Sequence, residues 1–198
     1  TVNPMILIGA NGRVFNVRPS EIPGGKGDGV PVSSLAETQG TAIVGMLSGA
    51  PDTAVLLGTS GGNALRTRLE GLTTRLRAGK QFVSIDEGES VLSPSVIPVD
   101  AKEVAALSAE GRLLVFALDD VKELAGGGKG VMAIKLHEGE KMLGIVPVAG
   151  ALNIAAYGRG DKRTTIAVNA GSLEHYRGTR ARSGRVLQAF HKRVEGFE

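Results

Sequence analysis

Four glycines are each followed by a base in this 198-residue chain: Gly25-Lys26, Gly79-Lys80, Gly128-Lys129 and Gly184-Arg185. A glycine lets backbone amides approach a phosphate oxygen closely, and the lysine or arginine behind it neutralises the charge. One such dipeptide is an ordinary turn. Four at matching places in a repeat form a set that would hold a polyanion by its backbone. Arg75 and Arg77 gather beside the second pair, and Arg177, Arg180 and Arg182 beside the fourth. Arg66 and Arg68 lie on the polar face of an alternating segment, Leu65, Thr67 and Leu69 forming its other face. The candidate binding residues are therefore Lys26, Arg66, Arg68, Arg75, Arg77, Lys80, Lys129, Arg177, Arg180, Arg182 and Arg185.

Residues that make or break bonds are scarce by comparison. His137, His175 and His191 stand apart without the spacing of a metal site, and His137 is expected to be solvated in a polar turn. Asp119-Asp120 is a carboxylate pair on a predicted turn, and no serine has the context of a nucleophile elbow. Gly126-Gly127-Gly128-Lys129-Gly130 lacks the spacing of a mononucleotide loop and a following helix. The chain has no cysteine, so disulfides and thiolate-held zinc are excluded. Aromatic residues make up only 4% of it, which disfavours stacking platforms for single strands and the aromatic faces of a lectin. Tyr157 reads as strand packing and Tyr176 as a loop aromatic.

The elements that must position the basic loops come from an internal repeat. Apolar runs fold back at Gly12, Gly62, Gly111 and Gly160, which are 50, 49 and 49 residues apart. A period of this size marks an array of identical supersecondary units. In the second copy, residues 54–58 read as a buried strand, Ser60-Gly61-Gly62-Asn63 as a hairpin turn and residues 64–69 as a half-buried strand. A basic loop follows, then a third strand over 82–85, an acidic turn, and a fourth strand within 91–99. The third copy repeats the plan, with a strand at 131–134, the turn His137-Glu138-Gly139-Glu140 and a strand at 142–148. In the first copy residues 42–47 form the last strand, and in the fourth Val186-Leu187 begins the third. Helix is limited to single turns at 121–124 and 172–176. The fold class is all-β, a propeller-like ring of about four four-stranded blades over residues 1–198, as roughly 1–50, 51–100, 101–150 and 151–198. Two small barrels are the alternative, against which the even spacing speaks.

The formal net charge is +3, concentrated at the end: residues 151–198 carry nine bases against four acids. That excess points to a polyanion on one part of the surface. No apolar run approaches the ~20 residues that cross a bilayer. Thr1 in place of Met, and a strand almost at once, are expected of a piece excised from a longer protein.

Two segments carry a resemblance to a known family. They are Leu56-Leu57-Gly58-Thr59-Ser60-Gly61-Gly62-Asn63-Ala64-Leu65-Arg66-Thr67-Arg68-Leu69 with Arg77-Ala78-Gly79-Lys80, and Ala106-Leu107-Ser108-Ala109-Glu110-Gly111-Arg112-Leu113-Leu114-Val115-Phe116 with Gly128-Lys129-Gly130-Val131. The pattern resembles the C-terminal domain of bacterial type IIA topoisomerase A subunits over essentially the whole chain. The gyrase hallmark, Q-[RK]-R-G-G-[RK]-G, is absent; the nearest segments, 22–27 and 125–130, lack the paired leading bases. Degenerate boxes of this kind resemble the topoisomerase IV version. The resemblance implies a β-pinwheel whose blades exchange strands, with room for a fifth, N-terminal blade. It implies double-stranded DNA bent around a basic edge and presented to a cleavage core for ATP-dependent decatenation and relaxation. It implies no catalytic residue and no cofactor in this domain, with Mg2+ and ATP acting elsewhere in the holoenzyme. Its implied partners are the B subunit, an A-subunit dimer mate through other regions, and a condensin-type protein. Its implied place is the cytoplasm at the nucleoid, or the inner-membrane periphery. The rival functions are a gyrase-type wrapping domain with a divergent box, and a propeller scaffold for proteins. Removing Arg77 and Lys80 together is expected to weaken DNA binding without unfolding the chain.

Overall fold

The computed structural model describes residues 3–25, 27–189 and 191–198. Its sheets come from the predicted repeats. The first supplies β1 (Met5–Gly9), β2 (Arg13–Val17) and β3 (Ile43–Leu47), with the short helix α1 (Val32–Leu35) between the last two. The second supplies β4 (Ala54–Gly58), β5 (Asn63–Arg68), β6 (Lys80–Gln81) and β7 (Ser95–Val96). The third supplies β8 (Glu103–Ser108), β9 (Arg112–Ala117), β10 (Val131–Met132) and β11 (Met142–Pro147). The fourth supplies β12 (Leu152–Tyr157), β13 (Arg163–Val168), helix α2 (Ala170–Tyr176), β14 (Arg185–Val186) and β15 (Arg193–Phe197).

The repeats do not each form their own sheet. The sheet orders are β3-β1-β2-β6, β7-β4-β5-β10, β11-β8-β9-β14 and β13-β12-β15. The third strand of the second, third and fourth repeats thus leaves its own blade and pairs antiparallel with the second strand of the blade before it. The registers match: Lys80 lies opposite Val14, Val131 opposite Ala64 and Arg185 opposite Leu113. The fourth blade receives no such strand among the described residues and has three strands where four were expected.

The turn glycines explain where the exchanged segments stop. Gly12, Gly62 and Gly111 have φ of 84°, 90° and 73°, a region that side chains rarely enter. The Gly12 carbonyl accepts hydrogen bonds from Phe82 N (2.9 Å) and Val83 N (3.0 Å). The Gly62 carbonyl accepts from Ala133 N at 2.8 Å, and that of Gly111 from Leu187 N at 2.8 Å. Each exchanged strand therefore spans two residues: the one predicted at 131–134 is halved, and the one predicted at 82–85 lies earlier, at 80–81, because Phe82 and Val83 turn into the core after the bond to Gly12. The residues after it turn inward, and Phe82, Ala133 and Leu187 are buried.

Those buried residues sit in cores between blades. One core joins Ile6, Ile8 and Val14 to Val55, Leu57 and Phe82. The next joins Leu56 and Ala64 to Val104, Phe116 and Ile134. The third joins Ala105, Leu107 and Val115 to Ile154, Ile166 and Leu187. Blade 1 closes its free face with α1, Leu35 packing on Leu7, Phe15 and Val17. Blade 4 carries a polar face. There Arg163 pairs with Glu195 and Glu198, each at 2.9 Å, and Arg193 lies 4.0 Å above the Tyr157 ring.

The last strands crowd together at one end of the sheets. A Cβ on Gly45 of β3 would lie 2.3 Å from Pro94, and one on Gly144 of β11 would lie 3.0 Å from Phe197 of β15. The exchanged strands lie at the opposite end of the first three sheets and form their outer edge. The turn expected at 121–124 is not helical; the 3-10 turn lies at Leu118–Asp120. The one expected at 172–176 is the longer α2, whose N-cap Asn169 accepts from Ser172 N at 2.9 Å.

Gly130 shows how tightly the exchange is fitted. Its φ is 78°, and an added Cβ would lie 2.2 Å from the Ala64 carbonyl oxygen. Gly139 has φ of 73° with open space around it. Urea unfolding of Gly130→Ala is expected to show a loss of at least about 3 kcal/mol, against about 1 kcal/mol for Gly139→Ala, since only the first adds a backbone clash to the left-handed strain.

Candidate nucleic-acid interface

Three loops carry the exchanged strands onto the outer edge, and each meets the preceding blade at the same place. Thr74 N donates to Asn16 Oδ1 at 2.6 Å in blade 1. Arg66 N donates to Lys122 O at 2.9 Å and Leu124 N to Arg66 O at 2.8 Å in blade 2. Gly178 N donates to Val115 O at 2.9 Å in blade 3. Asn16, Arg66 and Val115 are the fourth residues of β2, β5 and β9. The loops are also joined to one another. Gly128 N donates to Phe82 O (2.8 Å) and Ser84 N to Gly128 O (3.0 Å). Ala181 N donates to Ala133 O (2.9 Å) and Lys135 N to Arg182 O (3.1 Å). A hydrogen-bonded belt thus runs along the edges of blades 1 to 3.

The predicted basic residues divide by what holds them. Arg75 and Arg182 are exposed, and no hydrogen bond or ion pair engages either side chain among the described residues. Arg77 is exposed and reaches Glu37 only at 4.0 Å. Arg185 meets His175 Nδ1 at 3.3 Å, and Arg180 donates to Met132 O at 2.7 Å, so neither charge is cancelled by an acid. Four of these are exposed and Arg180 is half-buried, all on loops 73–80 and 177–186.

The others are committed to the fold. Arg66 donates to Val121 O at 2.7 Å and pairs with Asp119 at 3.4 Å; Arg68 pairs with Glu123 at 3.2 Å. Arg177 forks onto both oxygens of Glu103, at 2.8 and 3.0 Å, and pairs with Glu174, which raises its pKa further above the arginine range. Lys80 turns inward. Its Nζ donates to Gly71 O at 2.7 Å and lies 5.6 Å from the Phe82 ring centre, and burial lowers its pKa. Lys129 is held by Asp86 at 2.5 Å, a hydrogen bond that raises its pKa. Lys26 lies outside the described residues.

Lys129 also departs from its predicted equivalence. Gly79 follows Leu72 by seven positions, but Gly130 follows Val121 by nine. The residue opposite Ala64 is therefore Val131, and Lys129 stands two positions earlier in its loop than Lys80 and Arg185 in theirs. The surplus charge of the fourth repeat divides as well. Arg177 to Arg185 serve the edge of blade 3, while Lys162, Arg163, Lys192 and Arg193 stay with blade 4.

Several positioning residues carried no signal in the sequence. Arg13 donates to Ala78 O (3.1 and 3.0 Å) and Gly79 O (2.9 Å), clamping the first edge loop. Tyr176 is not a loop aromatic. It is a buried residue of α2 whose hydroxyl accepts from Gln188 N at 3.1 Å, tying together the two ends of the third edge loop. His137 is not simply solvated: its Nδ1 meets Glu110 at 2.9 Å. Glu140 completes that cluster, with ligand-type atoms within 4.8 Å of one another. Burial raises the Glu140 pKa, but hydrogen bonds from His137 N, Ser108 and Glu110 N outweigh it and hold the carboxyl below its ordinary range. In the second repeat Glu89 likewise accepts from Asp86 N at 3.3 Å, so Glu140 sits where the fold uses a carboxylate to lock a turn.

The family described as DNA gyrase C-terminal domain, β-propeller, matches residues 4–41, 53–98 and 102–149, about two thirds of the chain. The chain belongs to that family. The three matched segments are the first three repeats, and the fourth extends the family's plan by the same exchange of β14 onto blade 3. The DNA topoisomerase 4 A subunit of Neisseria gonorrhoeae is 44% identical over 138 residues, covering 66% of this chain and 18% of the relative. The protein of the same name from Pseudomonas aeruginosa is 28% identical over 203 residues, covering 97% of this chain and 26% of the relative. The chain thus spans about a quarter or less of the length of these relatives. The solved E. coli ParC C-terminal domain superposes with a TM-score of 0.84 at 22% identity, over 99% of this chain and 80% of that one. The propeller-like all-β fold expected from the repeat is the fold of this family, and the chain corresponds to the C-terminal domain of a type II topoisomerase A subunit.

The inward turn of Lys80 changes what its removal should do. Lys80→Ala is expected to lower stability by about 1–2 kcal/mol in urea unfolding, through loss of the charge-assisted bond to Gly71 and the contact with Phe82. Arg75→Ala is expected to leave stability within about 0.5 kcal/mol.

Proposed function

We propose that this domain binds double-stranded DNA along the outer edge of its blades, contacting the sugar–phosphate backbone with little reading of bases. The observation that carries this is the group Arg75, Arg77, Arg180, Arg182 and Arg185: guanidinium groups with little or no acidic compensation, on two loops at equivalent places on a curved edge. Cations that are not engaged by carboxylates are the ones free to take phosphates in exchange for condensed counterions. Because the loops are fixed by strand exchange, they hold a set curvature, and a duplex that follows them bends.

As part of a longer A subunit, the domain would hold a transported duplex for the ATP- and Mg2+-dependent decatenation and relaxation carried out with a B subunit. That role supports chromosome segregation and places the protein at the nucleoid in the cytoplasm. The names of the curated relatives support topoisomerase IV over gyrase. The missing paired bases at 22–27 and 125–130 support the same choice, since little chiral wrapping is then expected.

A gel-shift titration with a plain duplex tests the reading. If about six phosphates are neutralised, log K falls with log salt at a slope near −5. Arg75→Ala with Arg77→Ala is expected to weaken binding about tenfold or more at low salt and flatten the slope by about two, with stability unchanged. A wild-type domain that fails to shift duplex at low salt would favour a protein-binding scaffold instead.

A further inference from the structure

We infer that the DNA path is interrupted: the duplex is gripped at the edges of blades 1 and 3 and crosses blade 2 without being held there. The inference rests on the DNA reading above and concerns which edges carry it. The three edge loops are equivalent in backbone and unlike in charge. The matching segment 69–80 on blade 1 carries Arg75, Arg77 and Lys80 against Glu70 alone. Segment 174–186 carries four arginines against Glu174 alone. Segment 118–131, on the edge of blade 2, carries Lys122 and Lys129 against Asp119, Asp120 and Glu123.

The ion pairs deepen the contrast. Arg66 and Arg68 are the strand arginines nearest that edge, and Asp119 and Glu123 engage them. Lys129 is engaged by Asp86 at 2.5 Å with Glu89 close enough to add to its field. A phosphate approaching blade 2 would have to displace a carboxylate from each of these partners. It would also face Asp119, whose side chain is 96% exposed. On the neighbouring edges Arg75 and Arg182 have no partner to displace among the described residues, Arg180 gives up a carbonyl contact, Arg185 a histidine contact, and Arg77 only a 4.0 Å pair with Glu37. Phosphate and carboxylate lie well within the screening length of about 10 Å at 0.1 M salt, so the repulsion at blade 2 is felt.

The consequence is a bivalent grip with an acidic gap. The backbone belt joining the loops keeps the two grips at a fixed separation, so engaging one raises the effective concentration of duplex at the other. The acids on blade 2 then set affinity without touching DNA.

Three variants of the full 198-residue chain test this by gel shift across a salt series, with urea unfolding to confirm that each folds. Lys122→Ala with Lys129→Ala is expected to leave affinity within about twofold, where Arg180→Ala with Arg182→Ala weakens it about tenfold or more. Asp119→Asn, Asp120→Asn and Glu123→Gln together are expected to tighten binding about fivefold and steepen the salt slope by about one. A loss of affinity in the lysine pair equal to that in the arginine pair would overturn the gap, as would unchanged affinity in the neutralised variant. A wild-type chain that binds no duplex at low salt overturns the DNA reading and this inference together; a normal wild-type shift with either of the other results overturns the inference alone.

Discussion

The contact on which the rest of this molecule depends is a turn-glycine carbonyl that accepts the backbone of the following repeat. At Gly12, Gly62 and Gly111 that bond halts an exchanged strand after two residues and turns the next side chain into the core between two blades. The glycine is required twice over. It supplies the positive φ of the hairpin, and at Gly12 any side chain would collide with the carbonyl of Val83 only 2.0 Å away. No blade completes its own edge, so the stability of each repeat is shared with its neighbour. A single hairpin is marginal alone; stacked and exchanged, it buries Leu56, Phe82 and Ile134 in cores that belong to two repeats at once.

The same exchange decides where charge is displayed. Because the third strand of the second, third and fourth repeats must travel outward to the blade before it, the loop that precedes it is carried to the perimeter. That geometry gives the chain three equivalent platforms and leaves the sequence of each loop to decide what the platform does. Blades 1 and 3 present guanidinium groups with little acid beside them, and blade 2 presents a neutralised and partly acidic edge. Surface ion pairs of this exposure contribute little to stability, typically less than about 1 kcal/mol each. Their larger effect is on which cations remain available to a polyanion.

The distinction between cations committed to the fold and cations left to solvent is invisible in composition. Arg66, Arg68, Arg75 and Arg77 are neighbours in the chain and carry the same charge, yet the first two are tied to the next repeat and the second two are not. Lys80 and Arg185 occupy one register position on successive edges, but one reaches inward to Gly71 and the other outward toward His175. The acids that engage Arg66 and Arg68 lie 53 and 55 residues away in sequence, and only the fold brings them within hydrogen-bonding distance.

Spacing was enough to establish the repeat, its all-β character and the hairpin turns, since turn glycines and apolar alternation are local consequences of backbone geometry. Family resemblance added the exchange of strands. Tertiary structure alone decided the two-residue length of the exchanged strands, the two-residue offset that takes Lys129 out of step, the three-stranded last blade and the burial of Tyr176 in α2. Those features are set by contacts between repeats, the Gly62 carbonyl meeting Ala133 or Asp86 meeting Lys129, and a contact of that range leaves no periodic trace in the chain.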